Sequence, residues 1–127
     1  MTASLSSNEH SKAFVRFKSD QQVLKSRWAR YGACTGLGPG VMYQTSAKKQ
    51  IELATEVCGQ CSVRQECLEL ALLGEETEGV WGGTTEAERK SLIRTLYDLI
   101  DPKEFWDDSL MEIISAVAAD YLTLNAQ

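Results

Sequence analysis

Apolar residues recur at helical spacing along most of the chain, and no segment alternates with the period of two that a half-buried strand requires. Val23, Leu24, Trp28 and Tyr31 predict an amphipathic helix over about 20–31, with Asp20 as its cap and Gly32 as its stop. A second helix is expected over 46–57, capped by Ser46, with Ile51, Leu53, Ala54 and Val57 as its apolar residues. A third follows over about 62–73, with Val63, Cys67, Leu70 and Ala71 inward and Gly74 ending it. Thr85 and Glu88 have capping-box spacing and open a fourth helix that runs to about Ile100. Asp101-Pro102-Lys103-Glu104 then places a cap, a proline at the first helical position and an acid at the third, starting a fifth helix toward Leu124.

Two glycine-rich stretches interrupt these elements. Residues 36–40 form a turn region and not a phosphate cradle, because no strand precedes them and no Lys-Ser/Thr pair follows. Gly79-Val80-Trp81-Gly82-Gly83 reads as a tight turn. The class is all-α, a small helical domain of four to five helices. Residues 1–19 are expected to be a flexible leader, 20–100 the folded domain, and 101–127 an acidic helical extension. The stripe Trp106, Leu110, Ile113, Ile114, Val117, Tyr121 and Leu124 in that extension suits either extra core or a partner seam.

At 127 residues the chain holds one domain's worth of core, thin enough for a bound metal to matter. The polar start lacks a signal-peptide pattern, and no apolar run reaches membrane-spanning length, so a cytoplasmic protein with no membrane association is expected. In that compartment four cysteines point to metal binding or redox chemistry rather than structural disulfides. The net charge is −5 and uneven: residues 1–57 carry eight Lys/Arg against four Asp/Glu, and residues 84–127 carry four against nine. Such a balance argues against a free-standing nucleic-acid binder. Arg89, Lys90 and Arg94 leave a small basic spot on the fourth helix, beside Glu86, Glu88 and Asp98. His10 and the basic residues between Arg16 and Arg30 read as solvated surface.

The cysteines are spaced C-x23-C-x2-C-x5-C at Cys34, Cys58, Cys61 and Cys67. A single bend brings Cys58 and Cys61 to one centre, Cys67 reaches it from the following helix, and Cys34 arrives across a long loop. Structural zinc sites usually come as two close pairs, and here there is one. A cubane four-iron cluster tolerates ligands spread along a helix, which suits the x5 gap. A thiol-disulfide reductase using Cys58 and Cys61 lacks the strand expected before its motif. Spacing alone leaves iron–sulfur and zinc both open.

The neighbouring residues add to this. Trp28 stands six residues before Cys34; Cys58-x2-Cys61-x5-Cys67 runs into Cys-Leu-Glu-Leu-Ala (67–71); and the Gly-Val-Trp-Gly-Gly turn is followed by Thr-Thr-Glu-Ala-Glu-Arg (84–89). Over roughly Trp28 to Arg94 the chain resembles the WhiB-like regulators of actinobacteria and their phages. The resemblance implies a [4Fe–4S] cluster on Cys34, Cys58, Cys61 and Cys67, a response to redox state or nitric oxide, and docking on region 4 of the primary sigma factor of RNA polymerase. It implies a transcription regulator and no enzyme. Trp28, Met42, Tyr43, Gly79, Val80, Trp81, Gly82 and Gly83 are the partner-binding residues it points to, with core packing as the plainer role for Trp28, Met42, Tyr43 and Trp81. Ser62 stands where the family often has proline, Met42-Tyr43 where two phenylalanines are usual, and an acidic helix where many members carry a basic DNA-contacting segment. Direct DNA contact by this chain alone is therefore expected to be weak or absent.

Overall fold

The computed structural model describes residues 12, 16, 20, 32–34, 36, 37, 40–100 and 108–124. Among these lie four α-helices: α1 (Ala47–Glu56), α2 (Arg64–Gly74), α3 (Glu86–Leu99) and α4 (Asp108–Leu124), with a single-turn 3-10 helix, Cys58–Gln60, between α1 and α2. The β pairing among the described residues is an isolated Trp81–Thr84 bridge, so the all-α class holds. The helix expected over 20–31, Trp28 within it, and the stretch of the last helix carrying Pro102 and Trp106 lie outside the described residues. Asp20 itself has helical backbone, so it sits within a helix and does not cap one.

The helix ends follow local chemistry. Ser46 accepts the Lys49 N–H at the start of α1 (3.4 Å). At α3 the Thr85 hydroxyl accepts the Glu88 N–H (3.3 Å) while the Glu88 carboxylate accepts the Thr85 N–H (2.9 Å), the reciprocal box its spacing predicts. The end of α2 differs from expectation. Gly74 is its last helical residue, and Glu75 takes the left-handed conformation, φ 53° and ψ 42°. The Glu75 and Glu76 N–H groups then bond back to the Leu72 and Ala71 carbonyls (3.2 and 2.9 Å). That paired closure needs its left-handed residue one place past the glycine.

The aliphatic core sits where α2, α3 and α4 meet. Leu68, Leu72 and Leu73 of α2, Leu96 of α3, and Leu110, Ile114 and Ala118 of α4 are all buried together. The α4 set falls at i, i+4 and i+8, one stripe of a helix. Burying each larger aliphatic side chain contributes roughly 1.5–3 kcal/mol. The acidic extension thus folds back as core from Asp108 onward, and Leu124, at 81 % exposure, is where its stripe leaves the domain. Tyr121 stays attached through a hydrogen bond from its hydroxyl to the Glu88 carboxylate. Among the described residues no helix is long and apolar enough to cross a membrane.

Candidate functional site

On the other side of α2 the chain encloses a pocket of about 320 Å³. Cys34, Cys58, Cys61 and Cys67 all line it, together with Met42, Tyr43, Val80, Trp81 and Gly82. Each cysteine arrives on a different piece of backbone. Cys58 opens the 3-10 helix and Cys61 follows its end, joined by a Cys61 N–H to Cys58 carbonyl bond of 3.0 Å. Cys67 is in the first turns of α2, and Cys34 is exposed in a turn closed by the Leu37 N–H on its carbonyl (3.1 Å). No disulfide links the four. Among the described residues no three His, Cys, Asp or Glu side chains close on one point as ligands of a single ion; the thiols ring the pocket instead.

The thiols sit among backbone donors. Ala33 N–H points to the Cys61 sulfur at 3.4 Å. Burial pushes the Cys58 thiol up, the Gly83 N–H on its sulfur opposes that rise, and the neighbouring Cys61 and Cys34 add to it. Burial likewise pushes Cys67 up to about 12, against the Gly82 N–H, with Cys58, Cys34 and Cys61 contributing. These couplings place the four sulfurs within one another's electrostatic reach. The N–H groups that favour negative sulfur therefore come mainly from the Gly82-Gly83 turn and from Ala33.

The turn is pressed against α2 and the 42–43 segment. Gly82 has φ +54°, and a Cβ there would lie 2.6 Å from the Arg64 carbonyl oxygen and from the Leu68 backbone nitrogen. Gly79 has φ +79°, and a Cβ there would lie 2.8 Å from the Tyr43 ring. Both positions combine a left-handed φ with contact closer than any side chain allows. Val80 N–H bonds to the Met42 carbonyl at 2.7 Å, and the Trp81 indole N–H bonds to the Glu78 carbonyl at 2.9 Å. The structure thus brings together Met42, Tyr43, Gly79, Val80, Trp81, Gly82 and Gly83, with Tyr43 at 51 % exposure and Trp81 half-buried.

Two residues that hold this arrangement escaped the sequence reading. Arg89, expected on the surface with Lys90 and Arg94, is fully buried at 0 % exposure. Its guanidinium donates to the carbonyls of Glu76, Glu78, Gly79 and Thr84 and to the Thr84 hydroxyl. One side chain thereby fixes the whole path from the end of α2 through the glycine turn. Burial lowers the Arg89 pKa from its ordinary value, and Glu86 opposes that shift. Gln50, also buried, accepts the Glu86 N–H (3.0 Å) and donates to the Gln44 carbonyl (2.8 Å), tying α1 to the start of α3. The fragment Thr-Glu-x-Glu-Arg after the turn was the available signal for Arg89, since an arginine one turn into a capped helix lies near the loop just before it.

A family model described as Transcription factor WhiB matches residues 28–92. Transcriptional regulator WhiB of Streptomyces coelicolor is 38% identical over 65 residues, covering 51% of this chain and 74% of the relative. Transcriptional regulator WhiB2 of Mycobacterium tuberculosis is 37% identical over 68 residues, covering 54% of this chain and 75% of the relative. Transcriptional regulator WhiD of Streptomyces coelicolor is 36% identical over 72 residues, with 52% of this chain and 64% of the relative covered. No solved structure matches at a significant level. The matched span holds the four cysteines and the glycine turn, while α4 lies beyond it.

Proposed function

The chain belongs to the WhiB family, and from that premise we propose that it is a cytoplasmic transcription regulator whose Cys34, Cys58, Cys61 and Cys67 hold a [4Fe–4S] cluster and whose regulatory contact is with region 4 of the primary sigma factor. The observation that carries the cluster reading is the single 320 Å³ pocket with all four thiols on its rim. The residues present fit that group in three respects: four thiol donors, a lining that is otherwise mostly apolar, and backbone N–H groups directed at three of the four sulfurs. A ring of thiols around a space of this size favours a cluster over a single zinc ion, whose four ligands stand about 2.3 Å from one point. Burial that raises the Cys58 thiol works against the reductase reading, which needs a stabilised thiolate.

When bound, a [4Fe–4S] cluster supplies a dianionic, redox-active centre whose behaviour depends on hydrogen bonds to sulfur and on solvent access. The chain supplies both controls. The N–H groups of Ala33, Gly82 and Gly83 favour charge on the sulfurs. Val57, Val63, Leu70 and Val80 wall off water, and the exposed Cys34 marks the open side from which oxidants and nitric oxide arrive. The cysteines hold a loop, the 3-10 helix and α2 to one another, so losing their common tie frees three segments at once. That is the route proposed from redox or nitric-oxide chemistry to altered binding.

The sigma-factor contact is proposed at the aromatic rim. Tyr43 is exposed over Gly79, and Trp81 stands beside it with its indole N–H already satisfied within the chain, leaving its face for a partner. Aromatic side chains of this kind dominate protein–protein hot spots. DNA contact by the protein alone is proposed to be weak or absent, because the burial of Arg89 leaves Lys90 and Arg94 as the exposed cations of α3. The test is a pull-down of sigma region 4 with iron-loaded protein, cluster-free protein and iron-loaded Trp81→Ala. Retention by the first is expected, with the Trp81→Ala form weakened by about 2 kcal/mol at an unchanged cluster spectrum. Equal retention by all three contradicts the proposal, as does a discrete, competitor-resistant DNA shift by the isolated protein.

A further inference from the structure

Arg64 is the one charged side chain other than the cysteines among the described residues lining the cysteine pocket. It is the first residue of α2, three positions from Cys61 and three from Cys67. Its guanidinium lies beneath the glycine turn: a Cβ on Gly83 would stand 2.6 Å from Nε and 3.0 Å from one terminal nitrogen. Gly83, the residue whose N–H faces the Cys58 sulfur, is thus also the residue that leaves room for the guanidinium. The Nε of Arg64 is buried and has no hydrogen-bond partner among the described residues. A buried donor left in that state costs about 1–3 kcal/mol, more when charged, so its place calls for a negative neighbour. Arg64 borders two such neighbours, the four thiols of the cysteine pocket and the Glu88 carboxylate of a second pocket that it lines with Gly83.

We propose that Arg64 sets the charge balance of the bound cluster: held under Gly83 against the pocket wall, its guanidinium offsets the dianionic centre and raises its reduction potential. The inference rests on the cluster reading given above. A fixed positive charge beside a redox centre stabilises whichever state is more negative, so reduction becomes easier and loss of an electron to an oxidant harder. Arg64 thus borders both the cysteine pocket and a second pocket lined by Tyr121 of α4, the helix that the family match does not cover. Arg64 is in this sense a positioning and charge-setting residue and not a ligand.

The experiment compares iron-loaded wild type, Arg64→Lys and Arg64→Gln as full chains, measuring iron content, thermal midpoint, rate of iron loss in air and mediated reduction potential. Arg64→Gln is expected to shift the one-electron equilibrium at least tenfold toward the oxidised form, 59 mV to the negative, and to lose iron several-fold faster. Arg64→Lys, which keeps the charge, is expected to shift by less than half as much. If Arg64→Gln cannot hold iron at all while Arg64→Lys does, the charge requirement is supported in stronger form. One-electron equilibria of both variants within threefold of wild type overturn the proposal. So does equal loss of iron from both with equally lowered thermal midpoints, which would assign Arg64 to packing alone. A wild-type chain that binds no iron would instead sink the cluster reading beneath it.

Discussion

Along one side of α2 the chain encloses a 320 Å³ pocket ringed by four thiols and closed by glycines; along the other, Leu68 and Leu72 pack against Leu96, Leu110, Ile114 and Ala118. The same helix serves both sides, with Cys67 and Leu70 toward the pocket and Leu68 and Leu72 toward the core. The aliphatic side follows the ordinary rule of folding, apolar area removed from water by close packing. The cysteine side is held by directional bonds: Val80 to Met42, Gln50 to Gln44 and Glu86, and the Arg89 fan onto the turn. Such a region depends on whatever ties its thiols together, whereas the aliphatic side does not. Under the proposed cluster reading, this division lets one half change state while the other keeps the chain folded.

The largest effect that separates the halves is removal of the tie. Cys58→Ser, or chelation of the iron, is expected to abolish the cluster. Amide exchange should then become fast over residues 40–63 and 79–83, while α2, α3 and α4 stay protected around Leu72, Leu96 and Ile114. Uniform loss of protection through α4 would erase the distinction between the halves. Next comes Arg89→Met, which strands the carbonyls of Glu76 and Gly79 and leaves those of Glu78 and Thr84 with their Trp81 donors alone. A loss of at least about 3 kcal/mol is expected in urea unfolding, two unsatisfied acceptors at once, together with failure to retain iron. A stable, iron-replete Arg89→Met protein would mean the fan is incidental. Ile114→Ala is the counterpart on the aliphatic side, costing about 2–5 kcal/mol of global stability while iron per folded chain stays at the wild-type value. Iron lost in proportion to stability would show that the halves are one cooperative unit.

The parts of this arrangement that could be read in the sequence are those specified by neighbours along the chain. Thr85 and Glu88 cap α3 because the box needs only their spacing. The glycine turn was legible from its own composition, and the last helix from its stripe, because 3.6-residue periodicity survives without knowing what it packs against. What stayed hidden depends on partners distant in sequence. Arg89 read as surface because its carbonyl partners, 5 to 13 residues back, converge only after the turn has folded. Gln50 reads as a polar residue of an exposed helix until α3 begins beside it, 36 positions later. Arg64 sat unremarked between two cysteines, its guanidinium lodged under a glycine 19 positions on. The convergence of Cys34 with the other three was expected across a long loop and implied by the resemblance, although nothing local requires a loop to deliver it to the pocket where it now lies.

The central claim, a four-cysteine cluster pocket, is tested most directly by anaerobic reconstitution of the full chain, with iron, sulfide and zinc counted per protein alongside a Cys34→Ser variant. The account predicts about four irons and four sulfides per chain with the absorbance of a [4Fe–4S] centre, and most of that content lost in Cys34→Ser. A colourless protein carrying one zinc, or a Cys34→Ser protein with full iron and an unchanged thermal midpoint, would contradict it.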